Sequence, residues 1–423
     1  MMTSLVLAVT LAGSPPSTGF RDHDRVVFLG DSITVLHTWT RLVELAVRLR
    51  HPEWTMTFIN AGIGGNTAED ALARLDVDVL SHQPTVVFLN FGMNDASYPD
   101  GSSGADFEKH MSALLDRLVQ AKVRQVVWLD PTPFDTSSGR VGPFNRRRVE
   151  RLATFVTWVK ETGAARGVTV VPVHDALTRA IASWKAAKKT ENLIPDRIHP
   201  GPLLHGVMAA EVLAAMGFDV SPGKVKVSGA DAVDAGPGDG ALRFDLGQVK
   251  APLPFVLPLA EARLLDCRSL VSLASLVVSV TGLPARQRFV VRAGTEEVGR
   301  FTGAQLEKGV EVLNTSPARV APGPERADLS ICDASAAGNP WANDGSCLFN
   351  LLFGKDQLRI TMRHEKTRGL PAAVPGYLER LGALQAEWIE AVDRDVERRV
   401  QALRARPHLL FVEPEGALDA GVR

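Results

Sequence analysis

A three-layer α/β/α sandwich with a five-stranded parallel sheet, followed by a small β-rich domain and a long C-terminal helix, is the fold this sequence predicts. Three observations carry that expectation. Between Arg25 and Gly217, five near-continuous apolar runs alternate with helical patterns, as they do when both faces of a parallel sheet are covered. After Gly217 the apolar runs shorten and Gly and Pro punctuate them, as in a small β domain. Within 371–406, Leu381, Leu384, Trp388, Val392, Val396, Val400 and Leu403 recur at three- and four-residue steps, which is a helical stripe.

The bulk numbers narrow the field. A chain of 423 residues is too long for one core. Hydrophobic residues at 45% and charged residues at 22% are ordinary for a globular protein. The net charge is -1 with no long basic run, which argues against a nucleic-acid partner, since phosphate neutralisation needs clustered cations. Arg146-Arg147-Arg148 is the densest basic cluster and reads as a solvated helix face, with contact to an anionic ligand as the alternative. The apolar run Leu5–Ala12 is too short to span a bilayer, which needs about 20 residues. With the small residues Gly13–Gly19 behind it, residues 1–19 read as a secretory signal without a basic start, or else as a frayed N-terminus. A secreted or periplasmic protein without stable membrane insertion is expected. Ser14 stands where a lipoprotein box would carry its Cys, so no lipid anchor is expected. Cys332 and Cys347 flank a polar loop and could pair in an oxidising compartment, while Cys267 reads as a buried thiol. No Cys/His spacing resembles a zinc site.

Taken in order, the strand candidates are Arg25–Leu29, Met56–Asn60, Thr85–Phe91, Gln125–Leu129 and Val168–Val173. Helical patterns cover Thr38–Arg50, Ala68–Leu80, Ala105–Ala121, Phe144–Arg166 and about Leu203–Met216. Open α/β sheets place ligands outside the C-terminal ends of the strands, and the unusual residues cluster there. Strand one ends in Gly30-Asp31-Ser32, and nothing in folding requires that serine. Strand two ends in Asn60-Ala61-Gly62-Ile63-Gly64-Gly65-Asn66-Thr67, where Asn66 or Thr67 can cap the next helix. That turn is neither G-x-G-x-x-G nor a P-loop, so a nucleotide site is a weak reading. Strand three ends in Gly92-Met93-Asn94-Asp95, and the loop after strand four, Asp135–Pro143, can form a rim. Pro195-Asp196-Arg197-Ile198-His199-Pro200 precedes the last helix. A carboxylate three residues before a histidine can accept its Nδ1 proton and fix its tautomer. His174-Asp175 is a rival pair, but adjacent residues point apart and it reads as a helix start. His205, inside the last helix, is a weaker rival.

These four blocks, in this order and each at a strand end, resemble the SGNH hydrolase superfamily, also called GDSL esterases and lipases. The resemblance covers about residues 24–217. It implies a flavodoxin-like sheet, Ser32 as nucleophile, His199 as base and Asp196 as the acid that orients it. It also implies an oxyanion hole from the backbone N–H of Ser32, the backbone N–H of Gly65 (with Gly64 the near alternative) and the side-chain amide of Asn94. Met93 departs from the family's second glycine in block three and adds bulk near the pocket. The chemistry is self-sufficient: a serine hydroxyl needs an adjacent imidazole, and no cofactor or metal is called for.

The domain reading is 1–19 signal or disordered segment, 20–217 hydrolase, 218–224 linker, 225–316 β-rich accessory domain, and 317–423 loop and C-terminal helical region. In the second half, Lys224–Ser228, Leu242–Leu246, Leu270–Val280 and Phe289–Ala293 read as strands. This half reads either as a carbohydrate-binding or substrate-rim module or as a structural cap. Trp341 and Trp388 are too far apart in sequence to establish a sugar platform. The acidic side of the C-terminal stripe disfavours anionic lipid and suits a helix packed back on the domains. The expected function is a serine ester hydrolase on a small-molecule or polysaccharide acyl ester, with O-acetyl carbohydrate foremost. A lysophospholipase or thioesterase, an O-acyltransferase and a non-catalytic binding protein are the alternatives.

Overall fold

The first expected strand, β1, runs Arg25–Gly30 in the computed structural model, and its five residues after Arg25 are all buried. The structure describes residues 19–36, 38–97, 103–137, 139–229, 232, 234–235, 241–245, 259–312, 352, 387, 390–391, 393–398, 401 and 409–415. After β1 come the short helix α1 (Ser32–Val35) and α2 (Thr38–Arg50), then β2 (Thr57–Gly62), α3 (Ala68–Ala73) and α4 (Leu75–Asp78). The first unit continues with β3 (Val86–Asn90), α5 (Ser103–Gln120), β4 (Gln125–Leu129), α6 (Pro143–Arg166), β5 (Thr169–Val171), α7 (Val173–Ala186) and α8 (Pro202–Ala215).

The five strands form one parallel sheet in the order β2-β1-β3-β4-β5, the flavodoxin-like order. Phe28 stacks on Phe88 with ring centres 5.0 Å apart and meets Trp39 edge-on at 5.1 Å, locking β1, β3 and α2 together. Fully burying one such side chain contributes about 1.5–3 kcal/mol. The strand order reverses between β1 and β3, so the turns after these two strands flank the crevice where such sheets bind ligands.

One expected helix is broken. Ala68–Leu80 is not continuous: α3 ends at Ala73, and Arg74 leaves helical geometry at φ −106, ψ 5. Its guanidinium turns back to hold the Gly30 carbonyl at 3.1 Å, the Ala61 carbonyl at 2.8 Å and the Asn66 Oδ1 at 2.7 Å. The helix yields its regularity to tie down the ends of β1 and β2.

The second half holds β6 (Gly223–Ser228), β7 (Asp234–Ala235), β8 (Leu242–Asp245), α9 (Leu259–Ala262) and α10 (Arg268–Leu273). It continues with β9 (Leu276–Thr281), β10 (Arg288–Ala293), β11 (Glu296–Thr302), α11 (Gly303–Lys308), β12 (Val310–Glu311) and β13 (Leu409–Pro414). One sheet runs β11-β10-β13-β8-β7 and another β12-β9-β6, and residues of both share one core that includes Phe244, Val278, Phe289 and Val412. Two expectations change here. Leu270–Val280 is not one strand: the α10 residues pack as a helix, and the strand begins at Leu276, where buried and half-buried residues alternate. The segment expected as loop and helix also supplies β13, which sits between β10 and β8. A strand contributed from so far along the chain leaves no local signal.

Leu265, Leu270 and Leu273 are buried in the same cluster as Leu204 and Val207 of α8, which seats the second half on the first. Helical residues 393–398 lie against α2. There Arg48, buried, binds Glu44 at 2.9 Å and Asp393 at 3.1 Å. Val396 of the expected stripe is buried. Cys267 is a buried free thiol, as expected, while Cys332, Cys347, Trp341 and Trp388 lie outside the described residues. Among the described residues, no helix is long and apolar enough to cross a membrane.

Candidate active site

Ser32 opens α1 directly above the end of β1. Gly30 makes that tight turn possible: a Cβ there would fall 2.1 Å from Thr34 Oγ1 and 3.0 Å from the Asn90 carbonyl. Asp31 caps α1, with its Oδ1 accepting the Ile33 N–H at 2.9 Å. The serine side chain is thereby fixed at the mouth of the sheet.

His199 Nε2 lies 2.8 Å from Ser32 Oγ. On the other side of the ring, His199 Nδ1 is hydrogen-bonded to Asp196 Oδ2. The Asp196 Oδ1 accepts the backbone N–H of Ile198 at 3.0 Å and of His199 at 2.8 Å. The turn closes because Arg197 takes a left-handed conformation at φ +75. Burial alone would raise the Asp196 pKa. The hydrogen bonds from the His199 ring and from the backbone N–H groups of His199 and Ile198 outweigh it, and the carboxyl is held below its usual range. An ionised Asp196 fixes the proton on Nδ1 and leaves Nε2 free to accept from Ser32.

The rival histidines stand elsewhere. His174 opens α7, with its Nδ1 2.9 Å from the Pro131 carbonyl, while Asp175 binds Lys160 at 2.7 Å. His205 is buried, and burial, with Arg41 nearby, pushes its pKa down to about 3. It is a neutral core residue.

The second and third turns supply donors. Thr67 caps α3 in a reciprocal pair with Asp70, which sets the exit of the glycine turn. Gly65 takes φ +78, a conformation glycine adopts freely, and a Cβ there would meet nothing within 4 Å. A Cβ on Gly64 would sit 4.0 Å from that of Ser32. Among the described residues, no hydrogen bond takes up the backbone N–H of Ser32, Gly64 or Gly65. The Asn94 side-chain amide donates to the Asn66 carbonyl at 2.9 Å and makes a longer, 3.4 Å contact with Asp31 Oδ2. Three turns thus converge on the space beside Ser32.

Two carboxyls that sequence reasoning left without a role hold these turns in place. Asp95 accepts the Ala68 N–H at 3.0 Å and the Gly92 N–H at 3.2 Å, joining the turns after β2 and β3. Burial pushes the Asp95 pKa up to about 6. Asp31 touches Asn94, and burial, with help from the charge of Asp95, pushes its pKa up to about 7. Their presence in Gly30-Asp31-Ser32 and Asn94-Asp95 was the available signal. Arg74 had none, since it lay inside a regular helical pattern.

Residues 28–207 match the GDSL-like Lipase/Acylhydrolase family. The chain is 35% identical over 88 residues to the uncharacterized lipoprotein YqeF of Bacillus subtilis, covering 18% of this chain and only 34% of that protein. It is 25% identical over 219 residues to an acetylxylan esterase of Geobacillus stearothermophilus, covering 46% of this chain and 95% of that one. Among solved structures, BT4096, a gut microbial diltiazem-metabolizing enzyme, shares the fold over 95% of this chain and 99% of its own, with a TM-score of 0.68 at 19% identity. The four ordered blocks, the sheet order and the family match converge on one statement: residues 28–207 match the GDSL-like lipase/acylhydrolase family, and this part of the chain is similar in sequence to an acetylxylan esterase.

Proposed function

We propose that the protein is a serine ester hydrolase that removes short acyl groups, O-acetyl foremost, from carbohydrate through an acyl-enzyme. The observation that carries the chemistry is the hydrogen-bonded chain Asp196–His199–Ser32 beside three backbone N–H groups that no hydrogen bond among the described residues takes up, and the Asn94 amide. In this reading, Ser32 Oγ attacks the ester carbonyl as its proton passes to His199 Nε2. Asp196 stabilises the resulting imidazolium. The carbonyl oxygen becomes an oxyanion, taken up by the N–H of Ser32, the N–H of Gly65 and the Asn94 side chain, whose long contact to Asp31 gives way. Each such donor contributes about 2.7–4 kcal/mol to the transition state. The C–O bond breaks, His199 Nε2 returns its proton to the leaving alcohol, and the acyl group stays on Ser32. Water then attacks by the same route and releases the acid.

The carbohydrate side of the reading is supported by the likeness to an acetylxylan esterase. Export is supported by the apolar run Leu5–Ala12 and by the match to a lipoprotein. The test is an ester panel from acetyl to octanoyl together with acetylated polysaccharides. Turnover that falls steeply beyond short chains, with acetate released from polysaccharide, is expected. A preference for octanoyl esters would make the lysophospholipase or thioesterase reading the better one. Acyl transfer to a sugar acceptor in preference to water would make it an acyltransferase.

A further inference from the structure

The rim of the same site carries charge that hydrolysis of a neutral ester does not use. The segment 130–142, described except at residue 138, leads from β4 to α6. Within it, the Asp135 N–H donates to the Arg197 carbonyl at 2.9 Å, joining it to the turn that carries Asp196 and His199. Beyond its end, Arg148 of α6 donates to Ser97 Oγ, in the turn that follows Asn94. The Arg148 guanidinium lies 5.3 Å from the ring centre of Phe134 and 5.5 Å from that of Phe144, which holds the rim against the helix.

This stretch is strongly cationic. Residues 131–151 contain five arginines (Arg140, Arg146, Arg147, Arg148 and Arg151) and two acids, Asp135 and Glu150, in a chain whose net charge is -1. Asp135 does not offset them at the surface. It is buried, with its Oδ1 accepting from Ser137 at 2.6 and 3.0 Å and its Oδ2 accepting from Asn192 at 3.1 Å. Arg140, Arg146 and Arg147 are exposed, and no ion pair involves them among the described residues. Helix stability does not account for them. The first turn of α6 has no acid, and a cation at the positive end of a helix is disfavoured by about 0.3–1 kcal/mol. Arg197, in the turn that carries Asp196 and His199, brings its Nη2 to 3.7 Å from where a Cβ on Gly139 would lie, which sets the segment before α6 against that turn. Its φ of +75 would suit glycine better, so backbone geometry does not explain an arginine there either.

We propose that this arginine rim selects esters whose alcohol side bears an anionic group, so that the substrate class is an acylated acidic glycan, one carrying uronate or sulfate. The inference rests on the reading of Ser32 as the nucleophile of an ester hydrolase. Exposed cations act by raising the local concentration of an anionic substrate and its rate of encounter, by about tenfold or more where several converge.

The test uses the full chain and a matched pair, 4-acetoxybenzoate and the neutral 4-acetoxybenzamide. The ratio of kcat/KM, anion over neutral, is expected to be about ten or more at low salt and to shrink toward one in about 0.5 M NaCl. It is also expected to fall toward one in Arg140→Gln/Arg146→Gln/Arg147→Gln and to drop below one in Arg146→Glu/Arg147→Glu. These positions are exposed, so the variants are expected to fold. O-acetylated galacturonan and O-acetylated, sulfated xylan then distinguish uronate from sulfate as the favoured anion. A ratio at or below one in the wild type, with the neutral ester hydrolysed, overturns the rim and leaves the esterase reading standing. A high ratio that the variants do not change also overturns it. Hydrolysis of neither ester overturns the esterase reading itself.

Discussion

His199 Nε2 and Ser32 Oγ stand 2.8 Å apart although 167 positions separate the two residues in sequence. What holds them at that distance is the sheet. Ser32 is fixed by the end of β1, and His199 by the turn that leads into α8, which packs against α2 and α7. In the proposed reaction the base is therefore already within hydrogen-bonding distance of the nucleophile.

The orienting acid is the first place to test this. Asp196→Asn keeps the shape but removes the charge and presents a donor to His199 Nδ1, favouring the wrong tautomer. A fall in kcat of about 10²–10⁴ is expected, with little change in KM for an acetyl ester. Because the Asp196 pKa is held below the usual carboxylate range, the acid stays ionised as pH falls through the normal range. The stability its carboxylate contributes is present above the unfolded-state value of 3.8 and is lost only as pH drops through the lower folded one. The wild-type acid limb of kcat/KM therefore lies above the titration of Asp196. An acid limb that vanished in Asp196→Asn would contradict this.

Asn94 is expected to act on the transition state. Asn94→Ala should lower kcat by about 10²–10³ and leave KM nearly unchanged, since the amide meets a full negative charge only when the oxyanion forms. Steady-state kinetics on one acetyl ester decides it, and an effect confined to KM would remove Asn94 from the oxyanion site.

Asp31 makes stability depend on pH. Its pKa is raised from 3.8 to about 7 by burial, so the folded chain holds a proton that the unfolded chain has released. Between about pH 4 and pH 7 the native state thus binds more protons, and stability present at low pH is lost as pH rises through that window. Asp31→Asn carries no such proton and keeps an oxygen for the Ile33 N–H. Thermal melts at pH 4, 5, 6 and 7 should show the variant gaining on the wild type as pH rises. A constant difference across the series would show that Asp31 does not titrate there.

Much of this site was legible in the sequence. Gly30-Asp31-Ser32 and Asn94 stand at strand ends, which an apolar run closed by Gly or Asn marks locally, whereas Asp196–His199 lies in the loop between α7 and α8 and was legible from the spacing of its acid and imidazole. The parallel sheet was legible for the same reason, because a strand covered on both faces is apolar throughout. Three features escaped because their cause is not local. Arg74 interrupts an amphipathic pattern to reach carbonyls of two strands. β13 completes a sheet whose other strands lie far earlier in the chain. Asp393 sits on the acidic side of the C-terminal stripe yet is buried against Arg48.

That last contact has a measurable consequence. Arg48 serves Glu44 and Asp393, both buried, and also approaches Glu397 at 3.7 Å. Arg48→Met would leave the two buried carboxylates without their counter-ion, which costs about 3–5 kcal/mol. Hydrogen exchange should then rise first in residues 393–398, and the melting temperature should fall. Unchanged protection there would mean that the helix is held by its apolar stripe alone.

The most direct test of the account is where a fluorophosphonate probe attaches. Intact-mass and peptide analysis should show one phosphonyl group on Ser32, formed rapidly in the wild type, slowed in His199→Ala and absent in Ser32→Ala. Labelling of another residue, or undiminished labelling of Ser32→Ala, would contradict the assignment of Ser32 as the nucleophile.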